Sequence, residues 1–220
     1  MKLLKIILLN ISNYGIIEYF KMFIHEIFYL FNSKYRKHFF HDESATNTYE
    51  EIDLKNQSLI FDGSYNPTPI YHLKLIEKVL KKKNLYNYTF IDFGSGAGRV
   101  TFFFRKMFKK IIPIDFNEKY KKFYKDQNFL IKDIKNIKSL EDLSIIENDE
   151  NFVLFFYRPI EDDSVFKIIE LFKNKKSFVI TLNVKKNNLS KLSIIYEKYF
   201  FDKNRNIIIY SNFWFCEQNF

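Results

Sequence analysis

The chain has 220 residues and a formal net charge of +9, a length that accommodates one domain, or one domain with an appendage, around a sizeable core. Its single cysteine, Cys216, excludes an intramolecular disulfide framework and predicts a reducing, cytoplasmic environment. Because lysine is spread along the whole sequence rather than gathered in one patch, the positive charge does not lead us to expect nucleic acid as a partner.

Residues 1–31 form the most apolar region of the sequence. Charged residues such as Lys5, Glu18 and Lys21 leave no uncharged run near the roughly 18 residues that a membrane-spanning helix needs. The pattern predicts one helix after Gly15 and another before it, which together form a helical extension that caps the domain. The alternative is an interfacial helix that contacts a membrane or a partner protein, which would hold the chain peripherally at the inner face of the membrane.

Residues 36–66 are polar and lack periodicity, so they are interpreted as a connecting segment. The prolines at 67 and 69 flank Thr68 and precede an apolar face of helical spacing over residues 70–80. Thr68 is therefore predicted to cap this helix, with Pro69 in its first turn. We divide the chain into an N-terminal helical extension with its connecting segment, residues 1–60, and a main domain, residues 61–220.

An apolar run that ends in Asp92 and Phe93 breaks into alternating glycines at Gly94, Gly96 and Gly98, which are three of the five glycines in the chain. Glycine adopts positive φ without penalty and allows a backbone to approach a ligand, so this spacing predicts a nucleotide-binding turn between a strand and a helix. The pattern differs from the dinucleotide fingerprint G-x-G-x-x-G, because Arg99 replaces the third glycine. A carboxylate at Asp92 suits a cationic amino-acid ligand better than a pyrophosphate.

With the pattern D-x-G-x-G-x-G, the chain resembles the class I S-adenosylmethionine-dependent methyltransferases. The resemblance implies that S-adenosylmethionine is the cofactor and that Asp92 and the three glycines lie in its site. The segment from Tyr65 to Pro69 is also similar to a Tyr-x-Pro-Thr-Pro segment that precedes the glycine loop in a bacterial subgroup of the family. In that subgroup the segment borders the methyl donor, which implies cofactor contacts for Tyr65 and Thr68.

Two further strands are predicted to end in acidic residues. A helix over residues 99–108 leads to a strand over 111–115, whose terminal Asp115 is placed to bind ribose hydroxyls. Asn117 begins another helix, and residues 129–133 form the third strand. The resemblance implies that Asp133 binds the exocyclic amine of adenine, while the cap of a following helix is an equally good interpretation of this residue.

The fourth strand is predicted over residues 152–156, a continuous apolar run typical of a central parallel strand. It leads into Tyr157, Arg158 and Pro159, where the acceptor should meet the methyl group. The resembled subgroup often has Asn-Pro-Phe here, and Arg158 stands in the place of that Asn. Arg158 could hold an anionic substrate, with Tyr157 or His41 as the proton acceptor, or it could pair with Asp162 and shape the loop.

The remaining segments predict a helix over residues 163–173, a strand over 178–184, a helix over 189–200 and an antiparallel hairpin of strands over 207–210 and 213–215. A short helix is also expected after Ser139. The expected fold is α/β, a Rossmann-like doubly wound and mostly parallel seven-stranded sheet with an antiparallel last strand, plus the N-terminal helical extension.

These observations favour a methyltransferase acting on an unidentified acceptor, which could be a small molecule, a glycan or a protein side chain methylated on oxygen or nitrogen. The first alternative is a non-catalytic binding module that keeps the fold and the ligand. The second is a nucleic-acid methyltransferase, favoured only by charge. No metal site is expected, because the four histidines have no i,i+4 spacing and no cysteine partner.

Overall fold

The computed structural model describes residues 2–31, 68–124, 128–143, 151–157, 162–183, 189, 192–202 and 205–212. The α-helices in these ranges are α1 Lys2–Tyr14, α2 Ile16–Leu30, α3 Ile70–Leu80, α4 Arg99–Phe104 and α5 Asp162–Leu171. The strands are β1 Thr89–Phe93, β2 Lys110–Asp115, β3 Leu130–Ile131, β4 Asn151–Tyr157, β5 Lys176–Leu182, β6 Ser193–Tyr199 and β7 Asn206–Ser211. Short 3₁₀ helices span Lys81–Lys83, Glu118–Phe123, Ile134–Asn136 and Glu141–Leu143.

The seven strands form one sheet in the order β3-β2-β1-β4-β5-β7-β6. Strands β1 to β5 pair in parallel, whereas β7 is antiparallel to both β5 and β6. The Rossmann-like α/β fold with an antiparallel last strand is therefore confirmed. The strand order reverses direction at β1, which lies between β2 and β4, so the loop after β1 stands at the switch point where such sheets bind ligands.

Apolar side chains cover both faces of the sheet. Alternate residues of the central strands enter opposite cores: Val153 and Phe155 pack with α3 and α4 on one face, while Leu154 and Phe156 pack with α5 on the other. All residues of β4 except its two ends are buried, as expected for a central parallel strand. This rigid double-sided core fixes the carboxyl ends of β1, β2 and β4 side by side.

The helical extension packs on one face of this domain. Helices α1 and α2 lie on either side of Gly15 (φ +79°), as predicted, and Tyr14 and Met22 enter the same core as α3. At the elbow between the two helices, the Asp202 N–H donates to the Asn13 carbonyl (2.8 Å). No helix within the described ranges is both long enough and apolar enough to cross a membrane.

The prediction of a helix over residues 189–200 is wrong. Residues 193–199 form β6, an edge strand that pairs with β7 and carries an irregularity between Ile194 and Tyr196. Its isoleucines and tyrosines favour a pleated, half-buried surface, and the bulge and charged side chains are typical of an exposed sheet edge. The strand predicted over 213–215 lies outside the described residues, and the partner of β7 precedes it in the chain instead of following it.

Several helices are shorter than predicted. Helix α4 ends at Phe104 instead of residue 108, and Asn117 caps a 3₁₀ helix rather than an α-helix. The expected helix after Ser139 is a single 3₁₀ turn, and Asp142 accepts the N–H groups of Lys138 (2.9 Å) and Ser139 (3.1 Å).

Candidate functional site

The glycine loop connects β1 to α4 in a tight turn. Gly94, Gly96 and Gly98 all have positive φ, at +75°, +52° and +83°, which is why residues with side chains would be strained there. The N–H groups of Gly94 and Ser95 donate to the Ile114 carbonyl of β2 (2.9 and 3.0 Å), and the Gly98 N–H donates to Ser95. The loop is thereby folded against the end of β2, next to Asp115.

Asp115 is the acidic centre of this edge of the sheet. Its Oδ2 accepts the N–H of Gly96 (2.9 Å) and its Oδ1 accepts the N–H of Asn117 (3.0 Å). Burial raises the pKa of this carboxyl to about 6, although the backbone hydrogen bonds oppose that rise. The backbone of Phe116 also donates to this carboxyl, so with about four acceptor positions Asp115 keeps the capacity to accept one further donor, such as a ribose hydroxyl.

Asp92 does not face the loop as a free anchor. Its carboxylate accepts the hydroxyl of Thr101 (2.8 Å) on α4 and is 1% exposed. Burial raises the pKa of Asp92 to about 7, with Thr101 opposing the rise and Asp115 adding to it. The residue fastens α4 to the end of β1, and any role toward a ligand amine stays a prediction.

Arg99, the residue that replaces the third glycine, joins the loop to the helical extension. Its guanidinium lies 6% exposed, and Nη1 donates to both carboxylate oxygens of Glu26 on α2 (3.0 and 3.2 Å) and to the carbonyl of Thr68 (3.3 Å). Glu26 also accepts the N–H of Ile70 (2.8 Å), the first residue of α3. The predicted cap by Thr68 is wrong: Pro69 is the N-cap residue, and the carboxylate that serves the helix start comes from α2.

Tyr124 packs on the outer side of the loop. Its hydroxyl donates to the Gly96 carbonyl (2.9 Å), and its ring lies so close to Gly98 that a Cβ there would be 3.1 Å from the ring. Phe129 stacks on the tyrosine ring, with 4.7 Å between the ring centroids. Gly98 is consequently required for two reasons, the positive φ and the packing of Tyr124.

Two buried polar groups beside the loop have no hydrogen-bond partner among the described residues, the Ser95 hydroxyl and the Asn117 side-chain NH₂. Buried polar atoms without partners are rare in folded proteins, so these two are available to hydrogen-bond a ligand or water. Ser95 lies inside the glycine loop, and Asn117 follows Asp115 by two residues. Together with Asp115 they form a polar group that can both donate to and accept from a ligand.

The other predicted site residues are placed as follows. Tyr157 ends β4, half-buried, and Thr68 is buried near α4. Asp133 is exposed and caps the 3₁₀ helix Ile134–Asn136 by accepting the Lys135 N–H (2.9 Å), which is the second of its two interpretations. Tyr65, Arg158, Pro159 and His41 lie outside the described residues, so the acceptor side of the site stays a prediction.

Sequence reasoning missed Glu26, Tyr124, Ser95 and Asn117. Ser95 and Asn117 could have been found, since one lies between the glycines and the other beside Asp115. Glu26 and Tyr124 come from elsewhere in the chain, 73 residues before Arg99 and 28 residues after Gly96. Within the described ranges, no three His, Cys, Asp or Glu side chains are grouped so that they could hold a metal ion.

Neither a family model nor a curated protein sequence matches this chain. Solved structures do. A candidate methyltransferase, YhhF from Escherichia coli, has 11% identity and a TM-score of 0.50 over 67% of this chain and 88% of its own. A candidate methyltransferase from Streptococcus mutans in complex with SAH has 12% identity and a TM-score of 0.47 over 67% of this chain and 99% of its own.

An S-adenosylmethionine-dependent methyltransferase from Clostridium acetobutylicum is also similar, with 11% identity and a TM-score of 0.44 over 75% of this chain and 97% of its own. At these identities the similarity concerns the fold. The match to YhhF therefore shows that the chain has the Rossmann-like fold of that protein.

Proposed function

We propose that the chain binds S-adenosylmethionine at the glycine loop and transfers the methyl group to an acceptor, as in the class I methyltransferases that its D-x-G-x-G-x-G motif resembles. The observation that carries the proposal is the polar group formed by Asp115, Ser95 and Asn117 beside the three glycines. It stands at the switch point of the sheet, where doubly wound folds bind nucleotides.

The chemistry of these side chains fits the nucleoside part of such a ligand. Asp115 can accept one further donor, which suits a ribose hydroxyl. The unpartnered Asn117 NH₂ needs an acceptor oxygen or nitrogen, and the Ser95 hydroxyl can serve either way. Phe116, directly after Asp115, is 36% exposed and offers an aromatic face to a base.

A bound sulfonium supplies the activated methyl group, so the chain's own residues mainly position and desolvate the reactants. The glycine loop allows close approach, Asp115 orients the sugar, and the buried end of β1 limits access of water. The proposed acceptor-side residues are Tyr157, Arg158 and Pro159, with Arg158 holding an anionic group of the acceptor. The acceptor itself, and whether it is methylated on oxygen or nitrogen, stay open.

Calorimetric titration of the full chain with S-adenosylmethionine, S-adenosylhomocysteine and NAD tests the proposal. We expect the two sulfur nucleosides to bind and NAD not to bind. Asp115→Asn should weaken binding about ten- to a hundred-fold, because a charge-assisted hydrogen bond to the sugar is lost. Asp142→Asn is the matched control, since Asp142 also accepts two backbone N–H groups but contacts Lys132, Lys138 and Ser139 instead of the glycine loop.

Equal affinities of the parent and the Asp115→Asn variant would contradict the site, and a preference for NAD would contradict the cofactor. Catalysis is tested separately by transfer of labelled methyl groups to small metabolites, glycans and proteins. Binding without transfer to any of them would favour the non-catalytic binding module instead.

A further inference from the structure

Helix α2 turns its apolar side to solvent. Six large apolar side chains of α2 and its C-cap residue are between 50% and 81% exposed: Ile16, Ile17, Phe20, Phe23, Phe28 and Phe31. They recur at helical spacing and so form one stripe, which measures about 22 Å from Ile16 to Phe31 at the α-helical rise. A contiguous apolar stripe of this kind on a folded domain marks an interaction surface.

The polar side of α2 faces the domain. Glu26 pairs with the buried Arg99, and Glu18 pairs with Lys198 (3.3 Å) on β6. These two glutamates are the only acidic residues in the first 31, so no carboxylate lies on the outward stripe. Lys21, with a side chain 47% exposed, is the charged residue nearest to the stripe on the helix.

The position of α2 is fixed at both ends. Its start meets the turn after β6, where Phe201 lies against Gly15 and is itself 76% exposed. Its last turns meet the start of α4 through Glu26 and Arg99. Since β6 and β1 run in the same direction, both contacts lie at the carboxyl edge of the sheet, and the stripe is held along the edge that carries the glycine loop.

We infer that this stripe docks on an anionic lipid membrane surface. The phenylalanine and isoleucine side chains of the stripe are suited to the boundary between lipid head groups and acyl chains. The outward side of α2 has no carboxylate and has Lys21 beside it, which is complementary to anionic lipid, and the net charge of +9 disfavours a second copy of the same chain, which would bring an equal positive charge. This inference concerns a surface outside the glycine loop and does not rest on the proposed methyl transfer.

Flotation of the full chain with lipid vesicles tests the inference. We expect binding to vesicles of phosphatidylcholine mixed equally with phosphatidylserine, weaker binding to phosphatidylcholine alone, and a decrease with added salt. The double substitution Phe20→Ser and Phe28→Ser should weaken binding about a hundred-fold, because each buried ring contributes roughly ten-fold. It leaves the charge unchanged, so any loss reports the apolar stripe.

The matched control is the double substitution Tyr86→Ser and Ile194→Ser, which removes two exposed apolar side chains, 55% and 41% exposed, from other surfaces. It should bind vesicles like the parent. Circular dichroism melting checks that both variants are folded. As an independent readout, Phe28→Trp should show a blue shift of fluorescence when anionic vesicles are added.

Failure of the parent to bind anionic vesicles would overturn the inference, as would equal loss in both double variants or equal binding to neutral vesicles. Light scattering distinguishes a second copy as the occupant. A parent that is dimeric, becomes monomeric with Phe20→Ser and Phe28→Ser, and ignores vesicles would assign the stripe to self-association and refute the lipid proposal.

Discussion

The ion pair between Glu26 and Arg99 should couple the helical extension to the glycine loop energetically. Glu26→Gln removes the negative charge that pairs with the Arg99 guanidinium. That guanidinium is 6% exposed and also donates to the Thr68 carbonyl. It also weakens the acceptor of the Ile70 N–H at the start of α3. We therefore expect loss of stability in both the helical extension and the main domain.

The magnitude follows from the burial of the two partners. Removing one member of a fully buried pair costs about 3–5 kcal/mol. Glu26 is 27% exposed and glutamine keeps one carbonyl acceptor, which reduces the expected loss to about 2–3 kcal/mol. For a chain of this size that loss lowers Tm by about 4–12 °C.

Urea unfolding followed by circular dichroism measures the effect. Glu18→Gln is the control, because Glu18 lies on the same helix and its partners Lys21 and Lys198 are partly exposed amines, so its loss should be about 0–1 kcal/mol. The double variant Glu26→Leu with Arg99→Met should lose less unfolding free energy than the sum of the losses in Glu26→Leu alone and Arg99→Met alone. Equal effects of Glu26→Gln and Glu18→Gln would refute the reasoning.

Three further predictions concern the loop. Burial raises the pKa of Asp92 from 3.8 to about 7, so the contribution of Asp92 to stability is complete below pH 4 and is lost as pH rises through 7. Urea titrations should therefore show that the parent, relative to Asp92→Asn, loses up to about 4 kcal/mol of unfolding free energy between pH 4 and pH 8. Gly98→Ala should destabilise by about 1–3 kcal/mol, more than Gly15→Ala, because both have positive φ but only the Cβ at 98 would lie 3.1 Å from a ring; equal losses would argue against the Tyr124 contact. Calorimetry should show S-adenosylmethionine affinity falling by up to about ten-fold per unit as pH drops below 6, since protonated Asp115 loses acceptor capacity, and a flat profile in that range would contradict its role.

Much of the sheet could be predicted from the sequence because its signals are local. The buried strands β1, β2, β4 and β5 are apolar runs with no competing helical pattern, and the glycine spacing marks the turn at the switch point. The segment over 189–200 was predicted wrongly because short apolar stretches fit both a helix and an edge strand. Its pairing with β7 decided between them, and that pairing is a property of the fold.

The candidate site was predictable only where its residues are neighbours in sequence. Asp92, the glycines and Asp115 follow directly from strand ends, whereas Glu26 reaches Arg99 across 73 residues. No local pattern specifies such a partner. The same limit applies to Thr68, which looks like a cap in sequence and loses that role because a distant carboxylate occupies the position.

The orientation of α2 depends both on a local sequence pattern and on a partner that is distant in sequence. The sequence defines one apolar and one polar side of the helix, and the usual arrangement would bury the apolar side. Pairing Arg99 favours the opposite orientation by about 2–3 kcal/mol. Six apolar side chains that stay at least half exposed forgo more than this, on the order of 6–12 kcal/mol, so the ion pair alone does not account for the outward stripe. An external apolar surface that covers the stripe removes the imbalance while leaving Glu26 on Arg99, which is why lipid docking and an intact glycine loop are compatible in one structure.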